Sequence, residues 1–333
     1  MTDSKVWLIT GTTSGMGAAM MEQFAARGDR VIATGRSASI RLADKRSNSI
    51  VPLDLDATAP LAVVREQIEK AIQVFGHIDF VVNNAGISVP QTIEEADDAF
   101  TQKMLDTNLI GAIRLVQAVL PHFRERKAGT FAFIGSAMGW QTFPFFTHYG
   151  ITKAGLSIFA ENLQRETAHL GLRTVVFEPG AFVTGIGQTR TAADEGLGGT
   201  PSIPDYQGLF GEIMGKFSSP EMAESIPSTV EKLPSAVWDV VKSEGMASGK
   251  PFPIRVPLGL DALAVVRQKC YEQLRLCDEW EKVALSTTKD GADTIPNKYL
   301  LEKMSIMNLA KYATSGRSGM SDDIPNGISS FVK

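Results

Sequence analysis

Ser136, Tyr149 and Lys153 stand close together in the chain, with thirteen positions from the serine to the tyrosine and four from the tyrosine to the lysine. A phenol is a poor acid–base group at neutral pH, because its free pKa is about 10. Bringing it near 7 takes about three units, or roughly 4 kcal/mol of preference for the phenolate. One ammonium about 4 Å away at an effective dielectric of about 20 supplies a similar amount. A lysine four residues after a tyrosine lies on the same helix face and can take that position. Taken alone, Tyr-x-x-x-Lys is a weak signal, since such pairs occur on many solvated helices. The chemistry it permits is proton transfer by a phenol of lowered pKa.

A nucleotide site is written at the start of the chain. Lys5-Val6-Trp7-Leu8-Ile9 is an apolar run short enough for a buried strand. Thr10-Gly11-Thr12-Thr13-Ser14-Gly15-Met16-Gly17 follows, and then a helical pattern from Ala18 to Ala26. Strand, glycine-rich turn and helix in that order suit a dinucleotide: glycines let the backbone approach a pyrophosphate, and the helix start offers free N–H groups. The spacing is Gly-x-x-x-Gly-x-Gly in place of the usual Gly-x-Gly-x-x-Gly. A second strand, Arg30–Thr34, ends in Gly35-Arg36. A carboxylate at that strand end would bind the ribose 2′-OH and select the unphosphorylated cofactor. Gly35 repels nothing, Arg36 can pair with a phosphate bidentately, and Ser37 can add a hydrogen bond. The expected cofactor is NADP(H).

Thr10-Gly-x-x-x-Gly-x-Gly17, Asn83-Asn84-Ala85-Gly86, Asn108, Ser136, Tyr149-x-x-x-Lys153 and Pro179-Gly180 occur in one order. That order resembles the short-chain dehydrogenase/reductase family, over roughly residues 5–190. The resemblance implies that Tyr149 is the general acid giving a proton to a carbonyl oxygen as hydride reaches carbon. Lys153 would lower the tyrosine pKa and bind the nicotinamide ribose. Ser136 would hold the substrate oxygen, and the backbone of Asn108 would keep a water near the lysine. It also implies cofactor contacts at Ile9, Gly11, Thr13, Ser14, Gly15, Met16 and Gly17. Asp54 and Leu55 would flank the adenine, and Asn84, Ala85 and Gly86 its ribose; Pro179, Val183 and Thr184 would meet the carboxamide, with Tyr149 and Lys153 beside the nicotinamide ribose. His148 is read as lining the pocket or as structural. A homo-oligomer, dimer or tetramer, follows from the same resemblance. Two non-redox readings stay open: a cyclase or dehydratase using the same tyrosine, and a nucleotide-binding regulatory module. The intact tyrosine and lysine speak against the module.

Composition agrees with an enzyme of small molecules. The chain has 333 residues, 44% of them hydrophobic, enough for a sizeable core. A formal charge of −4 argues against nucleic acid and anionic membranes as partners. Cys270 and Cys277, seven residues apart on an expected helix, are read as sharing its buried face, with no disulfide or metal site. A strand from residue 5 leaves no room for a signal peptide, and no apolar run approaches the length of a membrane span. A cytoplasmic protein is the expectation.

Strands and helices alternate to about residue 180, which predicts a Rossmann-type doubly wound parallel sheet with helices on both faces. Asp54-Leu55, Asn83, Gly135-Ser136 and Glu178-Pro179-Gly180 each end a predicted strand. In open parallel sheets ligands bind at that edge. One domain is expected over 1–333: a nucleotide-binding and catalytic core to residue 190, a substrate lid over 191–250, and a helical extension and polar tail over 251–333. Pro220 to Gly245 reads as an interrupted helix capped by Ser219. Asp261 to Leu285 reads as a helix with one buried stripe of Leu263, Val266, Cys270, Leu274 and Cys277. Trp140, Phe143, Pro144, Phe145 and Phe146, between Ser136 and Tyr149, suit a bulky apolar ketone or alcohol. The pattern around Phe177–Gly180 and Arg255–Ala262 looks like that of fungal or bacterial members, some of them in secondary metabolism.

Overall fold

The computed structural model describes residues 4–141, 143–183 and 198–291. Its centre is a seven-stranded sheet of β1 (Val6–Thr10), β2 (Arg30–Gly35), β3 (Ile50–Asp54), β4 (Phe80–Asn83), β5 (Gly129–Ile134), β6 (Leu172–Pro179) and β7 (Arg255–Leu258). The order is β3-β2-β1-β4-β5-β6-β7, and every pairing is parallel. The inner strands are rich in apolar residues because both of their faces are covered. Pro52 and Pro257 fall in the two edge strands, where a missing N–H costs no ladder bond.

Side-chain alternation splits the core in two. Val6 and Leu8 join Ile32, Val81, Phe131 and Val176 beneath α3 (Leu61–Phe75), α5 (Gly111–Arg126) and α6 (Thr147–Thr167). Trp7 and Ile9 join Val31, Val82, Val175 and Phe177 beneath α1 (Gly15–Ala26) and, later in the chain, Leu233 to Val241. The expected doubly wound α/β fold is therefore present, helices on both faces. The strand order turns back at β1 and β4, and the crevice between their carboxyl ends is where such a sheet binds ligands. A short α2 (Ala38–Arg41) follows β2, and α4 (Asp98–Leu105) runs into a π turn, Asp106–Ile110, before α5.

The C-terminal part adds α7 (Pro204–Phe217), α8 (Pro220–Ser225), α9 (Leu233–Lys242), β7 and α10 (Leu260–Leu285). Ser219 caps α8 as its sequence predicts, its hydroxyl accepting from the Met222 N–H at 3.1 Å. α9 is the part of this region that packs on the sheet.

α10 overturns one expectation. Its first turn is anchored by Ala262, but Cys270, Leu274 and Cys277 are exposed, as are Tyr271, Trp280 and Val283. At 1.5 Å per residue a helix of 26 residues outruns the element it starts against. The period of a stripe was legible; the absence of a covering surface within this chain's described residues was not. Residues 184–197, which include the start of the expected lid at 191, and the polar tail beyond 291 lie outside the described residues.

Candidate active site

The glycine turn is built around close backbone approaches. Gly11 has φ +70° and Gly15 φ +56°, the left-handed region that glycine enters without strain. A Cβ on Gly17 would lie 2.3 Å from the Gly11 carbonyl oxygen and 2.6 Å from Asn84 Nδ2, so no side chain fits there. Asn84 Nδ2 donates to the Thr10 carbonyl at 2.8 Å, and the Asn84 and Ala85 N–H groups both donate to Thr10 Oγ1 at 3.0 Å. Segments some seventy residues apart in sequence are thus tied into one wall. Ser14 is the N-cap of α1, and its buried hydroxyl has no hydrogen-bond partner among the described residues. An unused hydroxyl at a helix start, beside a cradle that excludes any Cβ, fits a pyrophosphate.

The turn opens into a cleft lined by Gly11, Thr13, Arg36, Leu55, Ala85 and Gly86 from the predicted set. Arg41, Asp56, Lys103 and Thr107 line it as well and were not singled out in the sequence. Ile9 is fully buried beneath the turn, its carbonyl accepting from Thr34 Oγ1 at 3.0 Å, and Met16 packs on the core behind it. Ser37 has φ +55° and starts α2. Asp54 ends β3 and is exposed. Its two oxygens accept the Ser39 N–H and hydroxyl, each at 2.8 Å, and it does not line the cleft. Pro179 is buried at the end of β6 and Val183 is exposed; Thr184 falls outside the described residues.

Ser136, Tyr149 and Lys153 meet beyond this cleft. Ser136 follows β5, and its hydroxyl caps the next turn by accepting from the Met138 N–H at 3.1 Å. It also faces the Tyr149 phenol, whose pKa it lowers. Tyr149 and Lys153 lie on the buried face of α6, with the lysine Nζ 5.6 Å from the phenol ring centre. Nζ donates to the Ile134 carbonyl at 2.8 Å, and Gly86 sits beside it. Asn108 lies in the π turn; such single-turn bulges interrupt the regular helix ladder. Its side chain is fully engaged, accepting from the Ile87 N–H and donating to the Ile87 carbonyl, both at 2.8 Å. Nδ2 also reaches Thr152 Oγ1 at 3.2 Å, which ties the loop after β4 to α6. His148 faces away, its Nε2 3.2 Å from Thr101 Oγ1 and its ring edge-on to Phe100.

Burial dominates the electrostatics of the pair. It pushes the Tyr149 phenol up to about 12, with the Ser136 hydrogen bond opposing, and pulls Lys153 down to about 8. The spacing argument predicted a phenol drawn toward neutrality. It omitted desolvation, which favours the uncharged form of both groups. In the protein alone at neutral pH, Tyr149 therefore keeps its proton and Lys153 carries a charge.

The short chain dehydrogenase family model matches residues 5–195, more than half of the chain. The chain belongs to the short-chain dehydrogenase family. The oxidoreductase BOA17 of Botryotinia fuckeliana is 31% identical over 291 residues, covering 85% of this chain and 99% of that one. A short-chain dehydrogenase from Streptomyces avermitilis superposes with TM-score 0.72 at 29% identity, covering 86% of this chain and 99% of the other. The closed form of a serine dehydrogenase complexed with NADP+ aligns with TM-score 0.57 at 26% identity, over 76% of this chain and 94% of its own.

In this family member the aromatic loop before Tyr149 is divided between two partners. Phe145 is buried against Phe210 of α7, ring centres 5.1 Å apart, while Phe143 and Phe146 meet Phe217 at 5.6 and 5.7 Å. Trp140 turns the other way and donates from Nε1 to the buried Glu178 at 2.8 Å. The start of α7 is held by Glu95, whose Oε1 accepts from Ser202 N at 2.7 Å, Ser202 Oγ at 2.6 Å and Ile203 N at 3.2 Å. Those bonds, that of the Ser202 hydroxyl first, hold the Glu95 pKa below its ordinary value. The sequence signal at Glu95 was a different one: Thr92-x-x-Glu95 is a capping-box spacing. The box itself does not form: the Glu95 N–H donates to Thr92 Oγ1 at 3.2 Å, but that hydroxyl then donates to Glu95 Oε2 at 2.7 Å while the Thr92 N–H goes to Gln91, in a turn ahead of α4.

Proposed function

We propose that the chain is an NADP-dependent carbonyl reductase or alcohol dehydrogenase acting on a bulky, apolar ketone or alcohol. The observation that carries this is the meeting of the Ser136 hydroxyl, the Tyr149 phenol and the Lys153 ammonium beside the glycine cradle. When bound, the reduced nicotinamide supplies the hydride. Gly11 and Thr13–Gly17 take the pyrophosphate, with Arg36, Ser37 and Arg41 at the 2′-phosphate. Leu55 and Asp56 flank the adenine, Asn84–Gly86 its ribose, and Pro179, Val183 and Thr184 the carboxamide. The NADP+ carried by the serine dehydrogenase neighbour supports this choice. Ser136 and Tyr149 donate hydrogen bonds to the substrate carbonyl oxygen and stabilise the charge that develops there. Tyr149 then gives up its proton as the oxygen becomes a hydroxyl, and the Lys153 charge stabilises the phenolate left behind. Asn108, by fixing the loop after β4 against α6, keeps Lys153 in place. Oxidation of NADPH, followed by absorbance across a panel of bulky ketones and small polar oxo acids, tests the reading. Turnover confined to the small acids would refute the substrate class, and no turnover on any carbonyl would refute the reductase.

α7 and its approach from residue 198 form the lid over this site, and Phe143, Phe145 and Phe146 are its seat. Closing excludes water from the reacting carbonyl. Glu95→Ala removes the three bonds that hold the start of α7, so the KM for ketone should rise by about three- to tenfold while the Kd for NADPH stays put. Steady-state kinetics with a fluorescence titration measure both, and an unchanged KM would remove Glu95 from the lid.

A further inference from the structure

The Pro179-Gly180 turn is gripped from both ends by the C-terminal unit of β7 and α10. On its near side Glu178 is completely buried. Its Oε1 accepts from Ser157 Oγ at 2.9 Å and from Arg255 Nε at 3.0 Å, with Arg255 Nη2 making a second bond, while Oε2 accepts from Trp140. The Arg255 guanidinium also stacks 4.0 Å over the Trp140 ring and reaches Glu161 at 3.1 Å. A buried carboxylate is tolerable only when paired and hydrogen-bonded in this way. Four segments converge on one carboxylate: the end of β6, the turn after Ser136, the α6 face that carries Lys153, and β7.

On the far side Asp261, in the first turn of α10, accepts from the Ala181 N–H through Oδ2 at 2.5 Å. Its Oδ1 is buried with no hydrogen-bond partner among the described residues. A Cβ on Gly180 would lie 2.2 Å from that oxygen and one on Gly259 2.8 Å from it, so the carboxylate is wedged between two glycines. Between the two grips the Gly180 N–H donates to the Leu258 carbonyl at 2.9 Å.

We propose that Arg255 and Asp261 are positioning residues of the active site, holding the Glu178–Ala181 turn from its two ends and, through Glu178, the Trp140 ring and the Ser136 turn. The proposal rests on the reading above for what is positioned: the Ser136 hydroxyl at the substrate oxygen and the segment after Gly180 at the nicotinamide. The extension is then a working part of the site, although it touches no reacting atom. A misplacement of about 1 Å in such a constellation costs up to about a hundredfold in rate.

Arg255→Met and Asp261→Ala are compared with the conservative Arg255→Lys and Asp261→Asn by thermal melting, amide hydrogen exchange of the free protein, NADPH fluorescence titration and ketone kinetics. In protein that still melts cooperatively, Asp261→Ala should speed exchange across 178–183 by about tenfold or more, and Arg255→Met across 136–140 as well. Turnover should fall by about tenfold or more with the Kd for NADPH changed less than about threefold, and the conservative variants should recover part of each effect. If Arg255→Met does not fold, the Asp261 pair decides alone. Exchange that is unchanged in both segments, or that rises equally across the whole sheet, overturns the proposal and leaves the residues as general supports. A wild-type protein that reduces no ketone defeats the reductase reading instead, while the exchange and NADPH measurements still decide the role of Arg255 and Asp261.

Discussion

Replacing Tyr149 by Phe is expected to lower kcat for ketone reduction by about 10²–10⁴-fold, the range for loss of a positioned general acid. The ring stays, and it fills a buried site in contact with Ile87, Phe100 and Met104, so the fold and the Kd for NADPH should survive. What is lost is one proton donor. The wild-type pH profile should carry the mark of its partner. The phenol keeps its proton to about 12, so the acid itself remains available through the neutral range. Lys153 gives up its charge near 8, and with it goes the cation that stabilises the developing phenolate. For reduction, kcat/KM should therefore be flat below that pH and fall above it. Near wild-type turnover in Tyr149→Phe, measured by NADPH absorbance on folded protein, would remove the tyrosine from the chemistry.

How much of this was legible in the chain depends on the range of the interaction that matters. Strands such as Val6–Thr10 and Phe80–Asn83 declare themselves locally, because both sheet faces are buried and each run is apolar up to its last residue. Ser136, Tyr149 and Lys153 could be named because the chemistry needs those residue types at a spacing fixed by one helix and one turn. The rest fails where a side chain has a choice of partners. Trp140 left its aromatic neighbours for Glu178. Lys103 enters the nucleotide cleft from α4, an element with no nucleotide signature at all. The four residues of β7 include a proline, which hides an edge strand from any reading of β-propensity. For the Tyr149–Lys153 pair, spacing reports the charge that is near but not the water that is removed, which pushes the phenol up.

Arg36 is expected to decide between the two nicotinamide cofactors. It follows Gly35 at the carboxyl end of β2 and lines the same cleft as Gly11 and Ala85, where a nucleotide ribose belongs. No carboxylate stands at the tip of β2 to repel a phosphate. Asp54, opposite Gly35 in the sheet, is turned to Ser39, and Asp56 holds Thr58 through Oδ1 at 2.9 and 2.7 Å. Arg36→Ala should therefore weaken NADPH by roughly 1.5–3 kcal/mol, the worth of a hydrogen bond to a charged group, or about ten- to a hundredfold. NADH, which lacks the 2′-phosphate, should change by less than about threefold. Arg41 and Lys103 share the cleft, so either substitution alone should cost less, and adding Arg41→Ala to Arg36→Ala should weaken NADPH further. Titrations of both cofactors at two salt concentrations measure this, because an interaction with a phosphate weakens as salt rises. Equal affinity of the unaltered protein for NADPH and NADH, with no salt dependence, would make Arg36 a surface residue and withdraw the choice of NADP.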